Sequence, residues 1–284
     1  MGKLFEKTFA FAFAACLTAF FAAPLAGAEK DRILPMLNDG DEIRCAGEYP
    51  GHVQGIATDG ETIYWSFTSA VVRTDLNGKI LAKHPLAIHG GDPCFADGKL
   101  YVPLGTKFSQ EPRKEKKHKA GKNKKPDADN FVLVLDPDLK PLRTIPLAGF
   151  KYGAGGIACR NGRFYIVGGR PRGRPGNTIH EYSADFKPLR RIEIDFNSVS
   201  GIQTINFASG GRCFLGCYGV GNFVTELDGK WRVVRRPRPN FHVGAIPLGG
   251  ELFLVVRALP GAKGRSRAMA KVRRLKSAHA PKKK

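Results

Sequence analysis

No helical periodicity runs through this sequence beyond residue 30, which excludes all-α and doubly wound α/β architectures for the body of the chain. Nucleophile and metalloprotease signatures are missing as well: there is no G-x-S-x-G elbow and no H-E-x-x-H helix. Neither a C-x-x-C pair nor a zinc-ligand spacing occurs, which removes thioredoxin-like redox motifs and zinc ribbons. Acidic residues are scarce, 25 against 46 Lys and Arg, for a formal charge of +21. Of six cysteines, Cys16 lies in an N-terminal apolar run. The other five, Cys45, Cys94, Cys159, Cys213 and Cys217, are an odd number that cannot all pair within one chain. Cys213 and Cys217 stand about 13 Å apart if extended, too far for a disulfide. Cysteines among apolar strand residues act as small buried hydrophobes.

What is present begins with an export signal. MGKLFEK is charged, TFAFAFAACLTAFFA is apolar, and Ala26-Gly27-Ala28 is a small-residue cleavage site. Residues 1–28 are therefore expected to be a signal peptide, and the mature protein periplasmic or extracellular. A retained anchor is the alternative, since residues 8–26 come close to bilayer length; Pro24 and the A-x-A ending favour cleavage. The remainder divides into a linker (29–40), one β domain (41–275) with a basic insertion (107–129), and a basic tail (276–284). Charge is unevenly spread: residues 107–125 hold nine Lys/Arg against two Glu, and residues 261–284 hold ten and no acid. The expectation is a nearly neutral fold bearing two basic appendages, which raise affinity for polyanions in a salt-dependent way.

The stretch 52–83, HVQGIATDGETIYWSFTSAVVRTDLNGKILAK, reads as four short strands joined by tight turns at Asp59-Gly60 and Asn77-Gly78. The pattern recurs from His89, Tyr152, Ser200 and His242, each time with a Gly turn after the first strand: Asp97-Gly98, Asn161-Gly162, Gly210-Gly211 and Gly249-Gly250. Four antiparallel strands per unit at this spacing indicate a β-propeller. Five blades are expected, with six as the alternative. The fifth unit shows three strands, and DEIRCAGEYP at 41–50 is expected to supply its outer strand and close the ring.

GHVQGIATDGETIYW, with VVRTDLNGKIL behind it, resembles the NHL/SMP-30-type propeller repeats of exported bacterial proteins. The resemblance covers roughly residues 45–260 and concerns blade packing. NHL-type relatives imply ligand or partner binding; SMP-30-type relatives imply metal-dependent lactone hydrolysis by carboxylate and Asn ligands around the channel, a set this sequence does not match.

Strand order alone assigns the loops to two faces. First-to-second and third-to-fourth turns share one face and are tight. Second-to-third loops and blade connectors share the other, which carries the long insertions expected at 103–130, 168–176 and 257–266. Loops on a rigid scaffold concentrate binding residues. That face gathers Arg170, Arg172, Arg174 and Arg257, suited to phosphate, sulfate or carboxylate, with Gln54, Tyr152 and Gln203 at the channel mouth. His52 and His242 are equivalent in their repeats, and with His89 and Asp92 form a candidate site for a divalent transition metal. Hydrogen bonding at blade junctions is the simpler reading of the same residues. Asp92 is the one acid on the opening strands, so paired-carboxylate glycoside hydrolysis has no pair there. Gly153 to Ala158 fits G-x-G-x-x-A, but a strand follows where a phosphate-binding helix is required. Three functions are consistent with this: an exported protein binding an anionic glycan or other polyanion with no required cofactor, a metal-dependent hydrolase or lyase, and a scaffold for protein partners. Nucleic acid is electrostatically compatible, but export and the absence of an RNP motif point away from it.

Overall fold

The computed structural model describes residues 37–105, 130–147, 150, 152–170 and 176–277. The expected signal peptide, nearly all of the linker, the basic insertion, Arg172, Arg174 and the end of the tail lie outside them. The described chain forms five four-stranded antiparallel sheets. Blade 1 is β2 (Val53–Thr58), β3 (Ile63–Phe67), β4 (Ala70–Thr74) and β5 (Ile80–Pro85). Blade 2 is β6 (Cys94–Ala96), β7 (Lys99–Gly105), β8 (Asn130–Leu135) and β9 (Pro141–Pro146). Blade 3 is β10 (Ala154–Arg160), β11 (Arg163–Gly168), β12 (Asn177–Tyr182) and β13 (Pro188–Ile194). Blade 4 is β14 (Ile202–Phe207), β15 (Cys213–Cys217), β16 (Thr225–Leu227) and β17 (Val233–Arg235). Blade 5 joins β18 (Ala245–Gly249), β19 (Leu252–Pro260) and β20 (Arg265–Arg274) to β1 (Glu42–Pro50) from the N-terminal end.

The protein is thus a five-bladed β-propeller, and its closure is the expected one. β1 pairs with β20 from Glu42↔Lys271 to Pro50↔Arg265. A blade strand presents alternate side chains to its two neighbours, so the core consists of seams between blades. In β3, Ile63, Trp65 and Phe67 face the seam with blade 5, while Tyr64 faces blade 2. The closing seam is the most extensive, running through Ile43, Trp65, Leu254 and Val272.

The turns into the outermost strands lock the seams. Side-chain oxygens of Asp75, Asp136, Ser183 and Asp228 accept the main-chain N–H of Lys79, Lys140, Lys187 and Arg232, four residues on. The residue before each of those cations is left-handed: Gly78 (φ 82°), Leu139 (63°), Phe186 (63°) and Trp231 (65°). The three bulky ones plug the preceding seam. Leu139 joins the core between blades 1 and 2, Phe186 stacks on Phe164 at 4.3 Å, and Trp231 lies 5.4 Å from Tyr165. At Gly78 a Cβ would stand 1.8 Å from the carbonyl oxygen of Arg44 on the closing strand, which excludes a side chain. In the seam between blades 4 and 5, Leu275 fills the equivalent space against Phe214, Phe241 and Phe253.

Residues 257–266 depart from the expectation of an inserted loop. They continue β19 and β20 as a paired hairpin, from Arg257↔Met269 to Pro260↔Ser266. Alternation explains it: Ser266, Ala268 and Ala270 are buried while Arg265 and Arg267 project outward, a half-buried strand pattern. Much of the basic charge after residue 261 therefore belongs to blade 5 itself.

Candidate functional site

The residues singled out from the sequence fall into two groups on the loop-bearing face. In the first, where the chain enters blades 1 and 2, Thr68 is the organiser. Its Oγ1 receives the His52 main-chain N–H at 3.2 Å and the Gln54 Nε2 at 3.4 Å. The His89 ring stands edge-on to the His52 ring, 6.2 Å between centroids. Burial, reinforced by the neighbouring His52, pushes the His89 imidazole below its usual range.

Asp92 bonds across the blade junctions. It is 2% exposed, and its Oδ1 accepts the Ile56 N–H of blade 1 at 3.0 Å. Its main chain bonds to blade 3 on the other side, N–H to Gly155 O at 2.7 Å and O from Ile157 N–H at 3.1 Å. A Cβ at position 55 would lie 2.3 Å from Asp92 Cα and Oδ1, so Gly55 is fixed by this close approach. Asp92 is a junction residue spanning blades 1 to 3. Among the described residues no three His, Cys, Asp or Glu side chains are grouped to hold a metal ion. His52, His89, Asp92 and His242 do not share one ligand position: two pair, one clamps the ring, and His242 stacks elsewhere.

The second group spans blades 3 to 5. Arg170 donates its main-chain N–H to Ser200 O at 2.9 Å; its Nε is buried without a hydrogen-bond partner. Gln203, also buried, reaches the same Ser200 carbonyl with Nε2 at 3.5 Å. The residue before Ser200, Val199, donates its N–H to Tyr218 O at 3.2 Å. The Tyr218 ring lies 4.8 Å from the His242 ring. His242 is half-buried with Nδ1 unpartnered, and burial pushes its imidazole down, toward the neutral form. Asn240 donates Nδ2 to Cys217 O at 2.8 Å and to Gly221 O at 3.1 Å, leaving its buried Oδ1 without a partner.

One side of the loop-bearing face thus holds an arginine donor, an imidazole nitrogen and an amide oxygen, all buried and unspent. Buried polar atoms are normally satisfied, and an unsatisfied one costs ~1–3 kcal/mol. Sequence reasoning reached Arg170, Gln203 and His242, named Ser200 only as a repeat opening, and did not single out Asn240. The signal available was position: all lie in segments leading into or out of the blades.

The remaining candidates lie apart. Arg257 is exposed on the blade 5 hairpin, its Nη2 4.0 Å from Met269 Sδ. Tyr152 is half-buried at the start of blade 3. The aromatic pair of the 52–83 stretch, Tyr64 and Trp65, is fully buried and serves the core. The glycine-rich run before Arg160 forms strand β10, as its surroundings in sequence required.

No protein-family model matches the chain, and no curated protein sequence matches it. Among solved structures, a GH43_1 enzyme from Xanthomonas citri is similar with a TM-score of 0.51 at 15% identity, over 79% of this chain and 90% of that one. A gluconolactonase from Xanthomonas campestris gives 0.46 at 14% identity, over 78% and 72%. The WD40 propeller domain of Doa1 gives 0.42 at 11%, over 76% and 78%. These are likenesses of fold.

The buried carboxylates have structural partners. Glu181 is held by Arg163, Arg190 and Tyr165. Glu226 is held by Arg235 and Arg212, and the same two arginines reach Glu251 of blade 5. Both acids sit on third strands, away from the innermost strands, so neither forms a facing pair with Asp92.

Proposed function

We propose that this propeller is an exported binding protein that captures an anionic polymer, such as an acidic or sulfated glycan of the cell envelope, on its loop-bearing face. The observation that carries the reading is the buried Arg170 Nε without a partner, on the face where the basic insertion also emerges. Arg170 as a whole is only half-buried, so a carboxylate or sulfate can approach its guanidinium, which binds such groups with paired hydrogen bonds. The half-buried Tyr218–His242 ring pair beside it offers a flat surface for a pyranose. The insertion and tail contribute long-range attraction that salt weakens. No cofactor is needed for this role. Binding is favoured over hydrolysis because the buried carboxylates are already committed to the fold.

The test is retention on an acidic-polysaccharide column. Replacing the lysines and Arg113 of 107–125, and the lysines of 282–284, by glutamine should lower the eluting salt. In that background Arg170→Gln should lower it again. Elution of the two neutralised proteins at the same salt would remove Arg170 from the site and the proposal with it.

A further inference from the structure

Five thiols lie in the described chain, and two of them face one another across a seam. Cys94 lies on β6 and Cys159 on β10, the innermost strands of neighbouring blades. These strands run side by side at their start, where Asp92 bridges Gly156 in parallel and Ile157 N–H reaches Asp92 O at 3.1 Å. Cys94 follows Asp92 by two residues, and Cys159 follows Gly156 by three. Alternation aims both inward: Cys94 and Ala96 face the seam between blades 2 and 3 while Phe95 faces blade 1, and Cys159 faces the same seam while Ala158 faces blade 4. Their cross-strand partners meet too. Tyr101 lies opposite Cys94 and Phe164 opposite Cys159, and these rings are 4.5 Å apart. The Cys94 sulfur also interacts with the Cys159 main-chain N–H. The other three cysteines have no such counterpart: Cys45 is in the seam of blades 5 and 1, and Cys213 and Cys217 share one strand.

We propose that Cys94 and Cys159 form a redox site, closing to a disulfide that ties the innermost strands of blades 2 and 3 together under oxidising conditions. With oxidised glutathione as the oxidant, the first thiolate attacks the disulfide to give a mixed disulfide and one reduced glutathione. The second thiolate then displaces the other glutathione. The two cysteines lose two protons and two electrons, and the oxidant leaves as two thiols. The thiolate is the attacking form. Burial first, then the neighbouring Cys159, Asp92 and Asp97, holds the Cys94 thiol well above its usual range, so exchange is slow at neutral pH and accelerates about tenfold per pH unit. The loop closed by the bond runs from residue 94 to residue 159 and contains the basic insertion.

The experiment incubates the folded full chain with oxidised glutathione at about pH 8.5, then alkylates, digests and maps the peptides by mass. The expected product joins the peptides containing Cys94 and Cys159 and weighs two hydrogens less than their reduced sum. Oxidation should raise the melting temperature on the order of 10 °C, and Cys94→Ser or Cys159→Ser should abolish both the joined peptide and the rise. The peptide from the unsubstituted chain decides the matter even if a serine variant folds poorly. Alkylation of both cysteines, their capping by glutathione without joining, or their pairing with Cys45, Cys213 or Cys217 would each overturn the proposal.

Discussion

Phe186 offers a test of how the seams are held. Its backbone is left-handed at φ 63°, yet its ring is 7% exposed, 4.3 Å from Phe164 and 5.8 Å from Tyr101. Truncating a buried phenylalanine to alanine costs about 3–5 kcal/mol, and Phe186→Ala would keep the left-handed backbone. Phe186→Gly loses the same ring but relieves a left-handed cost of about 1–2 kcal/mol for an L residue. Glycine's extra chain entropy offsets about 0.5–1 kcal/mol of that relief. The glycine variant should therefore be the more stable of the two by up to about 1.5 kcal/mol, the reverse of the order at an ordinary core position. Equilibrium urea unfolding of both variants, compared at equal m-values, reads the difference. Alanine more stable than glycine would show that position 186 carries no net left-handed backbone cost.

Two further predictions concern buried polar groups. Burial lifts the Asp92 carboxyl well above its usual 3.8, opposed by the Ile56 N–H. The folded state then keeps a proton that the unfolded chain releases, so stability is full below the unfolded pKa and falls as pH rises toward the folded one, by about 1.4 kcal/mol per unit. Asp92→Asn keeps an oxygen for Ile56 and removes the titrating group. The partly desolvated imidazoles of His52, His89 and His242 add stability as pH rises, so the check is the difference between the two proteins. The parent should lose stability relative to the variant as pH rises above the unfolded carboxyl pKa, whereas parallel profiles would contradict this. Trp65 donates Nε1–H to Thr74 Oγ1 at 2.9 Å, both side chains fully buried. Thr74→Val leaves that donor unpaired and should cost about 1–3 kcal/mol, measured by the same unfolding curves; an unchanged midpoint would show that the bond contributes nothing net.

The blade count and the closing strand were legible because they rest on local chemistry: Asx-Gly turns, alternation, and a leftover strand at the N-terminus. The plugs were not. Leu139 and Trp231 occupy a conformation that sequence rules reserve for glycine or asparagine, and only a waiting seam explains them. The hairpin beyond Arg257 was mistaken for an insertion because its outward residues are basic and resemble a solvated loop, while the inward set of Ser266, Ala268 and Ala270 is small. In the site, repetition identified His52 and His242 as equivalents but could not say what their rings touch. One meets His89 and the other Tyr218. Asp92's role depends on a glycine 37 positions earlier, a contact across the ring that no local pattern encodes.

The central claim is that an anionic ligand satisfies Arg170. Calorimetric titration of the protein with its insertion and tail neutralised, using a uronic-acid oligosaccharide, addresses it most directly. A hydrogen bond to a charged group contributes about 1.5–3 kcal/mol, so Arg170→Gln should weaken binding roughly 10- to 100-fold, while Arg257→Gln, on the separate hairpin, should change it little. Equal affinities for the parent and Arg170→Gln would contradict the account.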